Sequence, residues 1–347
     1  MAYTDIDKPT DYFNTKLYTG NGGAQSITGV GFQPDWVWIK RRDGSASHRL
    51  ADSVRGTQKR LSSDSTNAES TETGLVTSFD SDGFTLNSSD VAFNGSSSTY
   101  VSWNWLAGGT ASSNTDGSIT SSVSANTTAG FSIVSYTGTG ANATVGHGLG
   151  VAPKMIITKV RSNSGNNWST YHSSLGAGNV IWLNLTNASS SDSTFWNNTT
   201  PTSSVFSIGT QGDTNRSSET IIAYCFAEKK GYSKFGSYTG NSNSDGTFVY
   251  LGFKPAWLMV KATNATENWL MVDNKRTNSF NPVDGRLIPN SSGAEETNVT
   301  PCDFVSNGVK FRFSDGAWNS SSNTYIYMAF AESPFVTGAS GIPTTAR

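Results

Sequence analysis

One ten-residue stretch occurs three times in this chain, first at residues 31–40 as Gly31-Phe32-Gln33-Pro34-Asp35-Trp36-Val37-Trp38-Ile39-Lys40. It returns at 150–159 as GVAPKMIITK and at 252–261 as GFKPAWLMVK. Gly and Pro indicate a turn, and because Pro cannot donate to a ladder, the strand begins just after it. The short apolar run that follows predicts a buried strand.

Each copy of this stretch belongs to a longer repeated unit. A Tyr-Thr-Gly turn that begins at Tyr18, Tyr136 or Tyr238 precedes it, and each unit closes with an apolar strand that ends at Ala107, Ala227 or Ala331. Landmarks at matching offsets predict three homologous units of about a hundred residues, an ordinary size for a domain.

The domain organisation follows from these landmarks and from local composition. The predicted segments are an N-terminal arm at 1–11, a first unit at 12–109, a linker at 110–129, a second unit at 130–230, a third unit at 231–335 and a tail at 336–347. The linker is predicted because its small polar residues bury little apolar surface. Each unit is expected to have its own core, with units 2 and 3 in contact across a short junction.

The overall composition favours strands and turns. Charged residues make up 14% of the chain, and long helical runs are missing. Asp82-Gly83 and Asn307-Gly308 are hairpin signals. Many short strands with frequent turn signals predict an all-β fold of three tandem antiparallel β-sandwich, jelly-roll-like units.

Charge and hydropathy bear on the classes of partner. The net charge is −2 and no basic cluster occurs, which argues against nucleic acid as a partner. The N-terminal residues lack the charged and apolar regions of a signal peptide, and no apolar run reaches membrane-spanning length. We therefore expect a soluble protein that is made in the cytosol and does not insert into a membrane.

The residue types that carry chemistry are sparse and scattered. His48, His147 and His172 do not lie at metal-binding spacing, and Cys225 and Cys302 are too few for a disulfide scaffold or a zinc site. Whether the two cysteines are free is left open. No Gly-x-Ser-x-Gly nucleophile motif occurs. We predict no catalytic, metal-binding or cofactor-binding residue and no enzymatic activity.

Two smaller motifs have both a functional and a structural interpretation. Asp52 and Arg55, like Asp273 and Arg276, are three residues apart after a strand, whereas the second unit has His172 in the aspartate position. A turn ion pair is favoured over a ligand site. The Gly-rich loop at 146–150 precedes Pro and a strand rather than a helix, so it is not predicted to bind phosphate.

Three tryptophans are the candidate ligand contacts. Trp182, Trp196 and Trp318 lie outside the repeated columns, in variable stretches. Exposed tryptophans in such stretches stack on sugars, but large aromatic residues more often fill cores. Burial in the core is the favoured interpretation, and a carbohydrate-binding surface is the alternative.

Several stretches resemble a family of marine bacteriophage virion and tail-fibre-like proteins built from a repeated β domain. They are residues 4–9 with 12–13, 18–22, 34–40, 52–56, 78–84, 103–105, 114–119, 146–153 and 329–335. The resemblance covers essentially the whole chain. It implies a structural or host-facing part of a phage particle, and it supplies no catalytic residues.

The predicted function is therefore a non-enzymatic virion protein, a tail fibre or appendage component involved in adsorption to the host surface. Expected partners are other virion proteins, a glycan or protein receptor on the host, and further copies of the chain. The alternatives are a capsid decoration or knob protein and a polysaccharide-degrading tailspike, which requires two acids in one cleft.

Overall fold

The computed structural model describes residues 4–276, 281–297, 299 and 301–338. The all-β, antiparallel fold class is confirmed. Helical structure in the described chain is confined to a 3-10 turn at Pro9–Asp11 and two single-turn helices, α1 at Ser193–Trp196 and α2 at Gly212–Asn215. None of the described helices has the length and hydropathy to cross a membrane.

Unit 1 has a four-stranded and a three-stranded sheet. Its strands are β1 (Phe13–Thr19), β2 (Ala24–Thr28), β3 (Trp36–Arg41), β4 (Arg49–Asp52), β5 (Lys59–Arg60), β6 (Ser70–Thr71), β7 (Ser78–Asp80), β8 (Gly83–Asn87) and β9 (Thr99–Trp105). The strand orders are β1-β9-β3-β4 and β2-β8-β7, and β5 pairs with β6. The strand that contains the repeated stretch, β3, therefore lies inside the larger sheet.

Unit 2 extends the same arrangement. Its strands, with two from the preceding segment, are β10 (Ser112–Asn114), β11 (Ser121–Asn126), β12 (Phe131–Thr137), β13 (Ala143–Gly146), β14 (Met155–Val160), β15 (Ser169–His172), β16 (Asn179–Trp182), β17 (Ser190–Ser191), β18 (Val205–Ile208) and β19 (Thr220–Phe226). The larger sheet has the order β10-β11-β12-β19-β14-β15-β16-β17, and β13 pairs with β18. Its central part, β12-β19-β14-β15, matches the order in unit 1.

Unit 3 repeats the arrangement of unit 1. Its strands are β20 (Ser233–Thr239), β21 (Phe248–Tyr250), β22 (Phe253–Ala262), β23 (Leu270–Asp273), β24 (Cys302–Val305), β25 (Gly308–Phe311) and β26 (Thr324–Pro334). The sheets have the orders β20-β26-β22-β23 and β21-β25-β24. Four strands of the larger sheet thus occur in the same order in each of the three segments, whereas the smaller sheet has three strands in units 1 and 3 and two in unit 2.

The repeated Gly and Tyr residues have specific structural roles. Gly31, Gly150 and Gly252 have φ values of +91°, +72° and +81°, which a side chain would strain. The hydroxyl groups of Tyr18, Tyr136 and Tyr238 donate to backbone oxygens at 2.6–2.7 Å, and the acceptors are residues 93, 214 and 318. Each tyrosine therefore holds the segment before its unit's closing strand.

The repeated strand is buried on both faces because it contributes to two cores. In β3, Val37 and Ile39 pack into the core of unit 1, whereas Trp36 and Trp38 point the other way. Successive side chains of a strand lie on opposite faces, and β14 and β22 alternate in the same manner. The larger sheet of each unit therefore has one face inside its sandwich and one face inside a second core.

This second core is shared by all three units and was not expected from the sequence, which predicted one core in each unit and a contact between units 2 and 3. It is a single cluster of buried apolar residues drawn from units 1, 2 and 3. The ring of Trp36 stacks on Tyr224 of unit 2 at 4.4 Å between centroids, and Trp105 meets Trp257 of unit 3 edge to face at 5.8 Å. Three sandwich cores surround it.

The segment at 110–129, which was expected to be a linker, contains strands β10 and β11. Both strands join the larger sheet of unit 2. Ile119 and Val123 supply the apolar contacts and are buried in the core of that unit. Backbone pairing and two well-placed side chains thus order a segment that is otherwise small and polar.

The described part of the N-terminal arm packs on the molecule. Ile6 lies in the shared core, and Thr4 donates from Oγ1 to the carbonyl of Lys230 at 2.9 Å. The backbone N–H of Gly338 donates to Asp7 at 2.7 Å, so the arm and the tail meet. The rest of both predicted segments, 1–3 and 339–347, lies outside the described residues.

Candidate functional site

The three candidate tryptophans do not form an exposed surface. Trp196 and Trp318 are almost completely buried. Trp318, which precedes the buried Asn319, is the residue of unit 3 that corresponds to Phe93 of unit 1. Trp182 is partly buried and packs edge to face on Phe195. These residues are core components, which leaves no stacking platform at the predicted positions.

The buried polar residues are concentrated instead where the units meet. Lys40, Lys159 and Lys261 end the three copies of the repeated stretch, and all are fully buried. The Nζ atom of each donates across to a backbone carbonyl of another unit, at 3.1, 3.4 and 3.2 Å; the acceptors are Ser292, Thr66 and Thr186. Unit 1 thus binds unit 3, unit 2 binds unit 1, and unit 3 binds unit 2.

A second set of contacts follows the same cycle. Ring N–H groups of His48, Trp168 and Trp269, which occupy one column of the repeat, reach backbone oxygens of the adjoining unit at 3.0, 2.9 and 2.8 Å. The acceptors are Ile288, Ser62 and Trp182. Because the contacts close on themselves, the three units form a ring with three interfaces that share these contacts.

Ion pairs strengthen two of these interfaces. Glu69 of unit 1 pairs with Arg161 of unit 2 at 2.9 Å, and Glu295 of unit 3 pairs with Arg42 of unit 1. At the third interface, the corresponding contact is a hydrogen bond of 2.9 Å from the Ser189 hydroxyl to a backbone oxygen. The charged groups therefore serve contacts between units.

The Asp–Arg motif belongs to the same network. Asp52 and Arg55 form an ion pair with both side chains fully buried, and the hydroxyl of Tyr224 in unit 2 donates to Asp52 at 2.7 Å. Asp273 pairs with Arg276 at 2.6 Å and accepts the indole N–H of Trp103 in unit 1 at 3.0 Å. The prediction of a turn ion pair was incomplete, because each aspartate also binds another unit.

His172 replaces the aspartate where the facing residue offers no donor. By strand register, Met328 holds the position in the closing strand of unit 3 that Trp103 and Tyr224 hold in units 1 and 2. The Nε2 atom of His172 lies 3.2 Å from the carbonyl oxygen of Tyr327. In unit 2, the N–H donor of His172 thus replaces the carboxylate acceptor that units 1 and 3 have at this position.

All three histidines are held as neutral rings. In each, Nδ1 accepts a hydrogen bond, so Nε2 carries the proton and donates to a backbone oxygen. Burial lowers the pKa of His48 and His172 to about 4 and also lowers the pKa of His147. With both nitrogens engaged, these rings have structural roles.

The described clefts contain little that resembles catalytic chemistry. Asp35 lines a cleft of about 410 Å³, and burial raises the pKa of its carboxyl group, against hydrogen bonds from Ser53, Gly109 and Ala107 that lower it. Those bonds occupy both carboxylate oxygens. Within the described part of the chain, His, Cys, Asp and Glu form no group of three able to hold a metal ion.

Among the described residues, the most exposed aromatic side chains lie on unit 3, and they were missed from the sequence. Phe248 and Tyr250 in β21 are 46% and 49% exposed. The signal was available: the alternation Phe-Val-Tyr occupies the strand that reads Ser-Ile-Thr in unit 1. The difference between the units becomes apparent only when their second strands are aligned by pairing register.

The comparison with family models gives one match, to a family described as a domain of unknown function, DUF7483, over residues 8–334. The chain belongs to the DUF7483 family. Neither the curated proteins nor the solved structures include a match. The DUF7483 match runs through all three units, the same extent of chain that the shared core joins.

Proposed function

We propose that this protein is a non-enzymatic structural component of a bacteriophage particle, part of a tail fibre or other appendage that contributes to host adsorption. The observation that carries the proposal is the closed ring of contacts between units. It occupies the buried lysines, His48, His172 and the Asp–Arg pairs that a catalytic site would otherwise use. Such a ring is a rigid scaffold.

Two further features support a role in presenting surface. Loops rich in Ser, Thr, Asn and Gly connect the strands, and such loops can vary without disturbing a core. The sequence also resembles phage virion and tail-fibre-like proteins in stretches distributed over essentially the whole chain. The proposed partners are other virion proteins, further copies of the chain, and a glycan or protein receptor on the host.

One observation favours a second candidate, a decoration or knob protein on the phage head. The contacts between units follow a threefold cycle, and a molecule with approximate threefold symmetry suits a threefold position on a closed shell. The same symmetry also suits the axis of a trimeric fibre, so it does not by itself select the head.

Immunogold labelling of intact particles tests the proposal. We expect gold on the tail, whereas gold over the head supports the second candidate, and particles without gold contradict both. Incubation of the purified protein with host envelope glycans tests the non-enzymatic part. New reducing ends, absent with the Asp35→Asn variant, would establish a polysaccharide-degrading tailspike instead.

A further inference from the structure

Strand β21 presents two aromatic side chains on the outer face of unit 3. Val249 points into the core, and its neighbours Phe248 and Tyr250 point outward. A two-residue step along a strand places such side chains about 7 Å apart on one face. Phe313, 39% exposed, follows the paired strand β25, so three of the five exposed large hydrophobic residues described belong to this part of unit 3.

The other two units show that the fold does not need aromatic residues here. In the smaller sheet, Val249 pairs with Val309 in unit 3, Ile27 pairs with Phe84 in unit 1, and Val145 pairs with Phe206 in unit 2. These three pairs are equivalent positions of the repeat. By this register, unit 1 has Ser26 and Thr28 at the two outward positions, and unit 2 has Thr144 and Gly146. The aromatic pair is therefore a departure specific to unit 3.

The backbone beneath the pair does not account for it either. A Cβ atom added to Gly308 would lie 3.0 Å from Cε2 of Phe248, so the ring lies close over this glycine. Cross-strand aromatic rings do cover sheet glycines. However, Gly83 occupies the same hairpin position in unit 1, opposite Thr28, without an aromatic neighbour.

We propose that Phe248 and Tyr250 form a binding platform for a sugar ring of a bacterial surface polysaccharide. The inference rests on the proposed role in host adsorption and names its ligand class. The negative faces of aromatic rings attract the polarised C–H groups on one face of a sugar ring. An extended polysaccharide suits an open sheet face, whereas compact apolar ligands need an enclosing pocket.

The size of the platform argues against a protein partner. A large aromatic side chain can bury about 200 Å². With about half of each ring exposed, the two rings together offer about 200 Å². A stable protein interface takes about 800 Å² from each partner. A ligand of one or two sugar rings matches the smaller area.

The charges around the platform argue against nucleic acid. Lys310, directly across from Phe248, pairs with Asp245 at 2.7 Å, and Arg312 pairs with Asp303 at 2.6 Å. Bases do stack on aromatic rings, but single-stranded binding also requires a groove of cations for the phosphates. The paired ions here instead offer donors and acceptors for sugar hydroxyl groups.

One lysine helps to position the second ring. The Nζ atom of Lys234 lies 5.1 Å from the centre of the Tyr250 ring and donates to the backbone oxygen of Tyr250 at 3.0 Å. A cation over an aromatic face restrains that ring by electrostatic attraction. Tyr250 is therefore held in place before any ligand arrives.

The test is an array of purified bacterial surface polysaccharides, with oligothymidylate included. The variant carries Phe248→Ser and Tyr250→Thr, the residues of unit 1, and the matched control carries Ser26→Ala and Thr28→Ala. We expect the native protein and the control to bind at least one polysaccharide, and the variant to bind it about tenfold more weakly. Melting curves establish that the variant folds.

Three outcomes overturn the inference: no polysaccharide bound by the native protein, undiminished binding by the folded variant, or binding of oligothymidylate alone. Particles that carry the variant separate this inference from the proposed function. If the variant is incorporated and adsorption is unchanged, the platform is excluded while the virion role remains. If gold labelling finds no protein in the particle, the virion role fails whatever the array shows.

Discussion

Single residues explain why one interface of the ring differs from the other two. The interface between units 2 and 3 has His172, Leu175 and Ser189 where unit 1 has an aspartate, an arginine and a glutamate. Across the interface, Thr263 and Met328 replace an arginine and an aromatic donor. When every member of a buried charged network is replaced, no charge is left unpaired. When only one member is replaced, its partner remains buried as an unpaired charge.

The first prediction concerns a single loss from this network. Arg55→Leu introduces the residue of unit 2 but leaves Asp52 buried without its cation. We expect the free energy of unfolding to fall by about 3–5 kcal/mol, measured by urea denaturation. Arg312→Leu, which removes a half-exposed arginine from its pair with Asp303, should cost less than about 1 kcal/mol. Equal losses for the two variants would contradict the account.

The second prediction concerns pH. The pKa of His172 is about 4 in the folded protein and about 6.5 when unfolded, so between these values the unfolded chain binds more protons. Stability attributable to this ring is therefore complete above about pH 6.5 and is lost as the pH falls toward 4. His172→Gln removes the titration and keeps a donor for the carbonyl of Tyr327.

Urea denaturation from pH 7 to pH 4 measures the effect as the difference between native protein and variant. Near pH 5, we expect the native protein to lose about 1 kcal/mol more per pH unit than His172→Gln. Subtracting the two profiles removes the contributions of His48 and the carboxyl groups. Parallel profiles would show that the ring is not held neutral.

At the scale of elements, the Tyr-Thr-Gly turn is fixed by close backbone approach. A Cβ atom on Gly20, Gly138 or Gly240 would lie 2.3 Å from a backbone oxygen of the segment that precedes the closing strand. The buried Asn215 accepts from the N–H of Thr139 at 2.7 Å and anchors the same turn in unit 2. Glycine is therefore required at this position because a Cβ atom would not fit.

The third prediction follows from this contact. Gly138→Ala should lower the free energy of unfolding by about 2–3 kcal/mol, because the obstructing atom belongs to the backbone and cannot rotate away. Gly212→Ala is the control, since nothing lies closer than 4.0 Å to the added atom. Thermal melts compare the two. A Gly138→Ala protein as stable as the control would refute the role of the turn.

The elements also show what the sequence predicted and where it was insufficient. The Gly-x-x-Pro pattern correctly predicted three buried strands, since turn chemistry and apolar runs are local properties. The predicted start just after Pro is wrong for the third, because β22 begins at Phe253 and accommodates Pro255 at an irregularity in the pairing register. Strands β10 and β11 were missed because Ser and Asn dominate them, and the pairing of β10 with β11 and of β11 with β12 is a tertiary contact. The exposed positions of Phe248 and Tyr250 likewise depend on register, which local composition does not specify.

For the whole molecule, the unexpected feature is the shared core. The run Trp-Val-Trp-Ile in β3 signalled burial on both faces, but not that Trp36 and Trp38 would meet other units. A sequence repeat specifies the structure of one unit but does not specify how the units pack against one another. When the units associate, the second faces of their larger sheets are buried in the shared core. The ring is therefore expected to behave as one body.

Hydrogen exchange at increasing urea, read by mass spectrometry, tests this central claim most directly. Peptides from β9, β19 and β26 lie at the shared core in units 1, 2 and 3. Because one core joins them, we predict that all three lose protection at a single urea midpoint. Three separate midpoints, one for each unit, would contradict a closed ring and restore a picture of independent domains.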